Sequence, residues 1–356
     1  MIPLYKPFMP ETPLVNEILQ SGQLAYGKYG RAFEAQLSHY FGTDKIIVTN
    51  TFNMAILVAL TTLDVKAGDT VIASPMACLA STQPLLSIGI KVQWADVDPM
   101  TGTLCPDSVR SLMSVGPKAI IHNHYCGYPG HIDEINAIGN EFGIPVIDDG
   151  IEAFGSEYKG KKIGNVGSDV TIFSFNPVRI PNTLDGGAVI FKDSQLFEKS
   201  KLIRDAGIDR TRFRDELGEI SSKCDITLVG HSATPMEINT YIGTQQMLNV
   251  DVLLSKQRDN AEAWQQYFSD PSLKLIETHN SNPNFWVFGL LADDKVEMIK
   301  NIRSKGFYAS GVHINNNIYS VFGESKMILP GVDYFSNHFV AVPSGWWVQK
   351  ENIQWK

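Results

Sequence analysis

The chain has 356 residues, of which 44% are hydrophobic, and its 30 basic and 38 acidic side chains give a formal net charge of -8. This length accommodates a large α/β domain and a smaller one, while the acidic balance and the lack of a basic cluster argue against nucleic-acid binding. No apolar run approaches the roughly 18 residues of a membrane span, and the amino-terminal segment lacks the pattern of a signal peptide. We therefore expect a globular cytoplasmic protein that binds neither nucleic acid nor a membrane.

Seven short β-branched segments, separated by helical patterns, dominate the first part of the chain. Strands that alternate with helices form mostly parallel sheets covered on both faces. The sequence therefore predicts the α/β fold class, with a mostly parallel seven-stranded sheet and helices on both sides. The predicted strands are 45–49, 70–74, 90–96, 118–123, 144–149, 169–175 and 187–192.

The fifth predicted strand is wholly apolar until it ends in Asp148 and Asp149. Open α/β sheets bind ligands beyond the carboxyl ends of their strands. This pair of carboxylates therefore marks a candidate ligand site.

The pattern of predicted elements changes near residue 251, where a long helical segment begins. Helices at 252–268 and 294–305, with strands at 285–291 and 307–313, predict a small α+β domain. We therefore expect a large domain at 1–250, which includes the amino-terminal segment, and a small one at 251–356. The polar segment 209–227 is predicted to be a surface excursion.

Cysteine and histidine spacing predicts no metal site. The four cysteines lie far apart without a CxxC motif, which favours free thiols over zinc ligands or disulfides. The histidines are scattered, and the closest pair, His122 and His124, shares one face of a strand without a third ligand in view.

The most informative segment lies between residues 173 and 187. It reads Phe-Ser-Phe at 173–175, then Arg179, then Gly186-Gly187. The segment resembles the Phe-Ser-Phe-x-x-x-Lys-(loop)-Gly-Gly stretch of the DegT/DnrJ/StrS sugar aminotransferases, whose lysine carries pyridoxal phosphate as a Schiff base. Arg179 holds the place of that lysine, and a guanidinium does not condense with an aldehyde as an amine does.

The similarity to this family extends in order over most of the chain. It implies a fold-type I pyridoxal phosphate enzyme, related to aspartate aminotransferase, that forms a homodimer with active sites at the subunit interface. Other segments that carry the resemblance are 2–4, 21–22, 33–34, 67–72, 95–98, 124–129, 148–155 and 157–164.

Three residues match functional positions of the family. The resemblance implies that Asp149 pairs with the pyridine nitrogen of the cofactor, where a carboxylate keeps the ring protonated as an electron sink. Without the resemblance, a helix cap is an equally good interpretation of Asp149. Ser174 matches a serine that holds the cofactor phosphate, and His124 matches a histidine near the cofactor plane, although a lone histidine is more often a core residue.

Several positions depart from the family pattern around the phosphate. The family has Ser-Gly-Thr at the start of a helix that cradles this group, whereas this chain has Thr51, Phe52 and Asn53. The family asparagine that reaches the phosphate of the neighbouring subunit is replaced by Ser232, whose hydroxyl has a shorter reach.

Other departures concern the ring and the substrate. Cys78 corresponds to the aromatic residue that usually stacks on the pyridine ring. Glu152 replaces a glutamine, and Arg179 is its expected ionic partner. His313 falls near a histidine that relatives use around the sugar-nucleotide pocket.

Three hypotheses remain open. In the first, the protein binds pyridoxal or pyridoxamine phosphate non-covalently and acts on a nucleotide-linked keto-sugar, with proton transfer by His124, Glu152 or solvent. The family's sugar 3-dehydratases, which replace the lysine with histidine, are a precedent. In the second, the cofactor has been lost, and the protein binds a sugar nucleotide or serves as a partner subunit. In the third, Arg179 is an engineered replacement in an ordinary aminotransferase.

Overall fold

A seven-stranded sheet forms the centre of the molecule. The computed structural model describes residues 1–270, 273–324 and 327–353. In chain order, the first nine strands are β1 (Ile46–Thr49), β2 (Thr70–Ala73), β3 (Lys91–Trp94), β4 (Ala119–Asn123), β5 (Val146–Asp149), β6 (Glu157–Tyr158), β7 (Lys161–Lys162), β8 (Val170–Ser174) and β9 (Gly187–Phe191). The sheet order is β1-β9-β8-β5-β4-β2-β3, and only β9 runs antiparallel to its neighbours. The predicted α/β fold class and all seven predicted sheet strands are thereby confirmed.

Helices cover this sheet and continue into the carboxyl-terminal part. Helix α3 is apolar on nearly every side because it packs between the sheet and two other helices, with contacts to α4 and α7. The helices are α1 (Val15–Gln20), α2 (Lys28–Phe41), α3 (Phe52–Thr62), α4 (Leu79–Ser87), α5 (Pro106–Ser111), α6 (Ile132–Phe142), α7 (Ser194–Arg204), α8 (Glu237–Met247), α9 (Val250–Tyr267), α10 (Lys295–Ser304) and α11 (Pro330–His338).

A second, antiparallel sheet lies in the carboxyl-terminal part, with the order β10-β12-β13. Its strands are β10 (Lys274–Leu275), β12 (Phe288–Leu291) and β13 (Phe339–Val342), while β11 (Ser281–Asn282) pairs with β6. The predicted helices 252–268 and 294–305 correspond to α9 and α10, and the predicted strand 285–291 corresponds to β12.

The predicted strand 307–313 was wrong. In its place the structure has isolated bridges, in which Phe307 pairs with Ile2 and Ser310 with Ala341. The backbone departs from extended geometry at Val312, where φ is 62°, so the ladder does not continue. The amino terminus, which the sequence assigned to the large domain, is therefore hydrogen bonded to the carboxyl-terminal part.

The two parts share one continuous hydrophobic cluster, which includes Ile121 and Ile147 of the large sheet and Phe288 and Val340 of the small one. The segment 209–227 is exposed over most of its length, as the polar pattern predicted. Within the described residues, no helix is both long and apolar enough to cross a bilayer. The hydrophobic core of the large sheet thus continues into the smaller part.

Candidate active site

A cavity of about 310 Å³ opens beside the carboxyl ends of β5 and β8 and the start of α3. This is the edge where parallel α/β sheets bind ligands. Residues that the sequence singled out line most of it: Thr51, Phe52, Asn53, Cys78, Ser174 and Arg179. Ile151, Asn176 and Asp185 complete the lining that bears on its chemistry.

Asp149 lies at the end of β5, next to this cavity, and is almost fully buried. Its Oδ1 atom accepts the backbone N–H of Ile151 at 3.1 Å. Its Oδ2 atom makes no hydrogen bond of good geometry within the described part of the chain, although the nearby Ser81 hydroxyl, which also lacks one, acts to lower the pKa of Asp149. Burial raises the pKa of Asp149 to about 6, so the carboxylate is ionised at pH 7 with one oxygen still free to accept a donor.

Arg179 forms a buried ion pair with Glu152, as the sequence predicted. Arg179 Nη2 lies 3.4 Å from Glu152 Oε1, and His313 Nε2 lies 2.9 Å from the same oxygen. The other Glu152 oxygen accepts the backbone N–H of Cys126 at 2.8 Å. Burial alone would raise the pKa of Glu152, but His313 and Arg179 hold it below its usual value. The ionised carboxylate of Glu152 therefore lies between the guanidinium of Arg179 and the imidazole of His313.

The guanidinium of Arg179 also lies over the ring of Trp286, which in turn stacks with Tyr5. Its Cζ lies 4.3 Å from the centre of the Trp286 ring, and Tyr5 stacks on the same tryptophan with centroids 4.6 Å apart. The Nε and Nη1 atoms of Arg179 are buried without partners in the described residues. Two donors of a fixed cation therefore remain available to an anionic or carbonyl oxygen.

Sequence reasoning missed Tyr5 and Trp286. Both lie far from Arg179 in the chain, and their meeting depends on the amino terminus crossing to the carboxyl-terminal part. The only signal was their position next to the family-like segment 2–4 and inside the predicted strand 285–291.

The start of α3 offers an anion site. Thr51 caps this helix, and its Oγ1 accepts the backbone N–H of Met54 at 3.0 Å. The backbone N–H groups that begin a helix have no partners within it and attract negative charge. Ser174 Oγ, which accepts the N–H of Asn176 at 3.3 Å, faces the same cavity and can still donate its own proton.

Phe52 lines the cavity without closing it. Its side chain is only 5% exposed and belongs to the large hydrophobic cluster. The sequence left open whether a phenylalanine at the family's glycine position closes the cavity. In the structure, a cavity of about 310 Å³ remains beside Phe52.

His124 does not line this cavity. It lies fully buried behind it, where its Nδ1 accepts the backbone N–H of Gly130 at 3.2 Å. Its Nε2 lies 3.5 Å from Asp148 Oδ1, and His122 Nδ1 lies 3.4 Å from the same oxygen. The sequence saw no third ligand near His122 and His124, but the structure places Asp148 between them because β4 and β5 are neighbours.

The remaining candidates occupy different places. Cys78 caps α4 at the cavity wall, and burial raises the pKa of its thiol to about 11. Ser232 is exposed and lies outside the cavity lining, and its carbonyl accepts the side-chain amide of Asn50 at 3.1 Å.

Comparison with known proteins agrees with this geometry. An uncharacterized protein of Methanocaldococcus jannaschii is 26% identical over 96% of this chain and 92% of its own length. The structure of the sugar aminotransferase CalS13 from Micromonospora echinospora matches with a TM-score of 0.92 and 26% identity, covering 99% of this chain and 97% of that one. A GDP-4-keto-6-deoxymannose-3-dehydratase with a trapped PLP-glutamate geminal diamine matches with a TM-score of 0.86 and 21% identity, covering 99% and 98%.

The sheet order and the cavity at its carboxyl edge define the fold of the fold-type I aminotransferases. The profile of the DegT/DnrJ/EryC1/StrS aminotransferase family matches residues 10–354. The chain belongs to this family.

Proposed function

We propose that this protein binds pyridoxal or pyridoxamine 5'-phosphate without a covalent link and acts on a nucleotide-linked keto-sugar. The observation that carries the proposal is the Oδ2 atom of the buried Asp149, which makes no hydrogen bond of good geometry within the described residues. A buried ionised carboxylate with a free oxygen is costly unless a donor meets it. The protonated ring nitrogen of the cofactor is a donor of the required kind.

Other groups around the cavity also fit this cofactor. Its phosphate suits the first turn of α3 with Thr51, Asn53 and Ser174, and its ring suits the space beside Cys78 and Ile151. The volume of about 310 Å³ lies at the lower end of small-molecule sites. Asp185 is the one carboxylate among these lining residues, and its Oδ1 accepts the backbone N–H of Gly186 at 2.8 Å.

Arg179 has an electrostatic role in this proposal. When bound, the cofactor supplies an electron sink for a carbanion next to a carbon–nitrogen bond. Arg179 directs Nε and Nη1 toward negative charge that develops on an oxygen, because a guanidinium stays protonated and is a poor proton carrier.

We assign proton transfer to Glu152 together with His313, because this pair contacts Arg179 of the cavity lining, whereas His124 contacts Asp148 and Gly130 instead. Solvent remains the other carrier. Asp149 keeps the ring nitrogen protonated throughout.

The substrate class follows from the family and its neighbours. We propose a keto-sugar linked to a nucleotide in surface-polysaccharide or natural-product sugar biosynthesis, with glutamate or glutamine as the donor if amino transfer occurs. A homodimer is part of the proposal. Large apolar side chains stand exposed on one segment, with Leu217 at 87% and Val229 at 82%, and such exposure is typical of a covered surface. Ser232, which is exposed and close to Val229 in sequence, is available to contact the second subunit.

The experiment is a turnover assay with protein loaded with pyridoxamine phosphate and a set of nucleotide-linked 4-keto and 3-keto sugars. We expect consumption of the sugar, and its loss in Asp149→Ala, which removes the partner of the ring nitrogen. Asp107→Ala, which changes an exposed carboxylate on α5, is the control and should keep its activity. Equal turnover in Asp149→Ala and the unaltered protein would contradict the role given to the ring.

A cofactor-free function is the second candidate, and one observation favours it. Arg179 has protein partners in Glu152 and Trp286, so the protein itself compensates its charge. In that case the protein binds a sugar nucleotide or serves as a partner subunit. Calorimetry with nucleotide sugars, in the presence and absence of pyridoxamine phosphate, separates the two functions, since only the first requires the cofactor for the substrate to react.

A further inference from the structure

A second cluster of polar side chains lies away from the cavity, where three separate segments meet. Asp98 follows β3, His131 precedes α6, and His279 lies in the loop between β10 and β11. His131 Nε2 lies 2.8 Å and His279 Nε2 lies 3.6 Å from one and the same atom, Asp98 Oδ2. We propose that these three side chains form a zinc-type cation site that joins the carboxyl-terminal part to the large sheet.

The distances fit a small transition-metal ion. Zinc binds histidine nitrogen and carboxylate oxygen at about 2.0–2.2 Å, so tetrahedral ligands lie about 3.3–3.5 Å from one another. The three ligand atoms all lie within 4.8 Å of one another. For an ion to bind, the 2.8 Å separation of His131 Nε2 and Asp98 Oδ2 would lengthen to about 3.3–3.5 Å, while the 3.6 Å separation of His279 Nε2 and Asp98 Oδ2 is already close to that range.

A bound ion would replace the hydrogen bond between His131 Nε2 and Asp98 Oδ2, which has a length of 2.8 Å. Asp98 Oδ1 accepts the backbone N–H of Met100 at 2.8 Å, which turns Oδ2 toward the histidines. His279 Nε2 is buried and has no hydrogen-bond partner among the described groups. The two imidazole rings lie side by side with centroids 4.6 Å apart. Two rings that face one carboxylate oxygen in this way suit a shared cation.

A fourth ligand is at hand. Glu277 Oε2 lies 3.5 Å from His279 Nε2, and its side chain is half exposed, so it can rotate into the site or leave the position to water. A set of two imidazoles and one or two carboxylates favours zinc and its neighbours over magnesium or calcium.

The location gives such an ion a structural role. The loop that carries Glu277 and His279 is already docked by two backbone hydrogen bonds, from Glu277 to Met100 and from Lys159 to Asn280. His279 and Asn280 both have positive φ, at 29° and 59°, a conformation that costs free energy and persists where contacts hold it. A bound ion would hold this loop against the large sheet at some distance from the cavity.

Sequence spacing could not reveal this site, because its ligands come from positions nearly two hundred residues apart. The expectation of no metal site rested on motifs, and motifs detect only ligands that are close in sequence. This inference is independent of the proposed catalytic function.

The test uses the full chain, stripped with a chelator and free of pyridoxal phosphate, and titrated with zinc chloride by calorimetry. We expect one ion per chain, a higher melting temperature on binding, and weaker binding between pH 7.5 and 5.5 as the imidazoles protonate. His279→Gln and His131→Gln should each lower the affinity by on the order of 100-fold or more, because even indirect supporting residues of metal sites account for about 10–100-fold.

His39→Gln, in an exposed position on α2, is the matched control and should bind zinc like the unaltered chain. His131→Gln and His279→Gln are both expected to fold, because the His131 side chain makes no capping hydrogen bond to α6 and His279 lies in a loop. Circular dichroism checks that each variant is folded. If one of them unfolds, zinc binding by the other tests the proposal. Absence of stoichiometric binding, or equal binding in His279→Gln, would overturn the proposal and leave an ion pair between Asp98 and His131.

Discussion

The guanidinium of Arg179 lies over the ring of Trp286, with 4.3 Å between Cζ and the ring centre, while its Nη2 lies 3.4 Å from Glu152 Oε1. The arginine thus has a cation–π partner and an ionic partner that hold it in one orientation. Its Nε and Nη1 atoms are buried and make no hydrogen bond within the described residues. The residue at the family's lysine position is therefore fixed in place, and the account of this site depends on what meets those donors.

Restoring the amine should restore a covalent link. Arg179→Lys places a primary amine beside the cavity, and we expect pyridoxal phosphate to become attached to it. The measurement is a visible absorption band, followed by borohydride reduction and peptide mass spectrometry.

Arg204→Lys is a matched control, because Arg204 is also buried, pairs with Glu34 and lies over the ring of Tyr26 at 4.6 Å. We expect no attachment there. If Arg179→Lys showed neither the band nor the adduct, the remaining cavity would be unable to hold the cofactor.

Removing the charge of Glu152 should lower the free energy of unfolding. Glu152→Gln restores the residue type that the family has but leaves Arg179 buried without its counter-charge, and removing one partner of a buried pair typically costs about 3–5 kcal/mol. We expect a loss of that order in the free energy of unfolding, measured in urea.

The double variant Arg179→Met with Glu152→Gln tests whether the two residues are coupled, because methionine removes the charge that lysine would keep. It should lose less stability than the sum of the two single variants, because residues in contact are not independent. Strict additivity would mean that the 3.4 Å contact carries no energy.

Trp286 should contribute to stability by two separable interactions. Trp286→Phe keeps an aromatic face but loses the hydrogen bond from Nε1 to the Val178 carbonyl, which has a length of 2.9 Å, at a cost of about 1 kcal/mol. Trp286→Ala removes the face as well and should cost about 3–5 kcal/mol. Similar unfolding midpoints for the two variants would show that the stack on Arg179 is without consequence.

Asp149 should destabilise the cofactor-free protein near neutral pH. Its pKa is about 6 in the folded chain against 3.8 for the free group, so the folded state binds more protons between those values. Stability contributed by this group is therefore highest below pH 4 and falls as the pH rises to 6, by about 3 kcal/mol in total.

Asp149→Asn should remove this slope and stabilise the cofactor-free protein at pH 7 by up to the same amount. Urea unfolding at pH 4.5 and 7.5, as the difference between variant and unaltered chain, isolates the effect from other carboxylates. A variant that is less stable at pH 7 would show that Asp149 is well satisfied without a cofactor.

The sequence predicted the parts of the fold that follow from local patterns. The apolar strands that end at Thr49, Asp149 and Ser174 were visible because buried parallel strands form short β-branched runs. The short strands Lys274–Leu275 and Phe339–Val342 were missed, because the first has only two residues and the second directly follows a helix. The segment 307–313 looked like a strand, but its pairing depends on Ile2 at the other end of the chain.

The site was predictable where one segment carries it and unpredictable where distant segments meet. The contact between Arg179 and Glu152 followed from charge and from the family pattern. The layers formed by Tyr5, Trp286 and Arg179, and the contact between His313 and Glu152, depend on the carboxyl-terminal part folding over the large sheet. No local pattern contains that information.

The most direct test of this account is a titration of the purified protein with pyridoxal phosphate and, separately, with pyridoxamine phosphate, followed by absorbance and calorimetry. The account predicts saturable binding of at least one of them in the micromolar range, weakened in Asp149→Ala. Binding of neither would contradict it, and Arg179 would then belong to a pocket rebuilt for a different ligand.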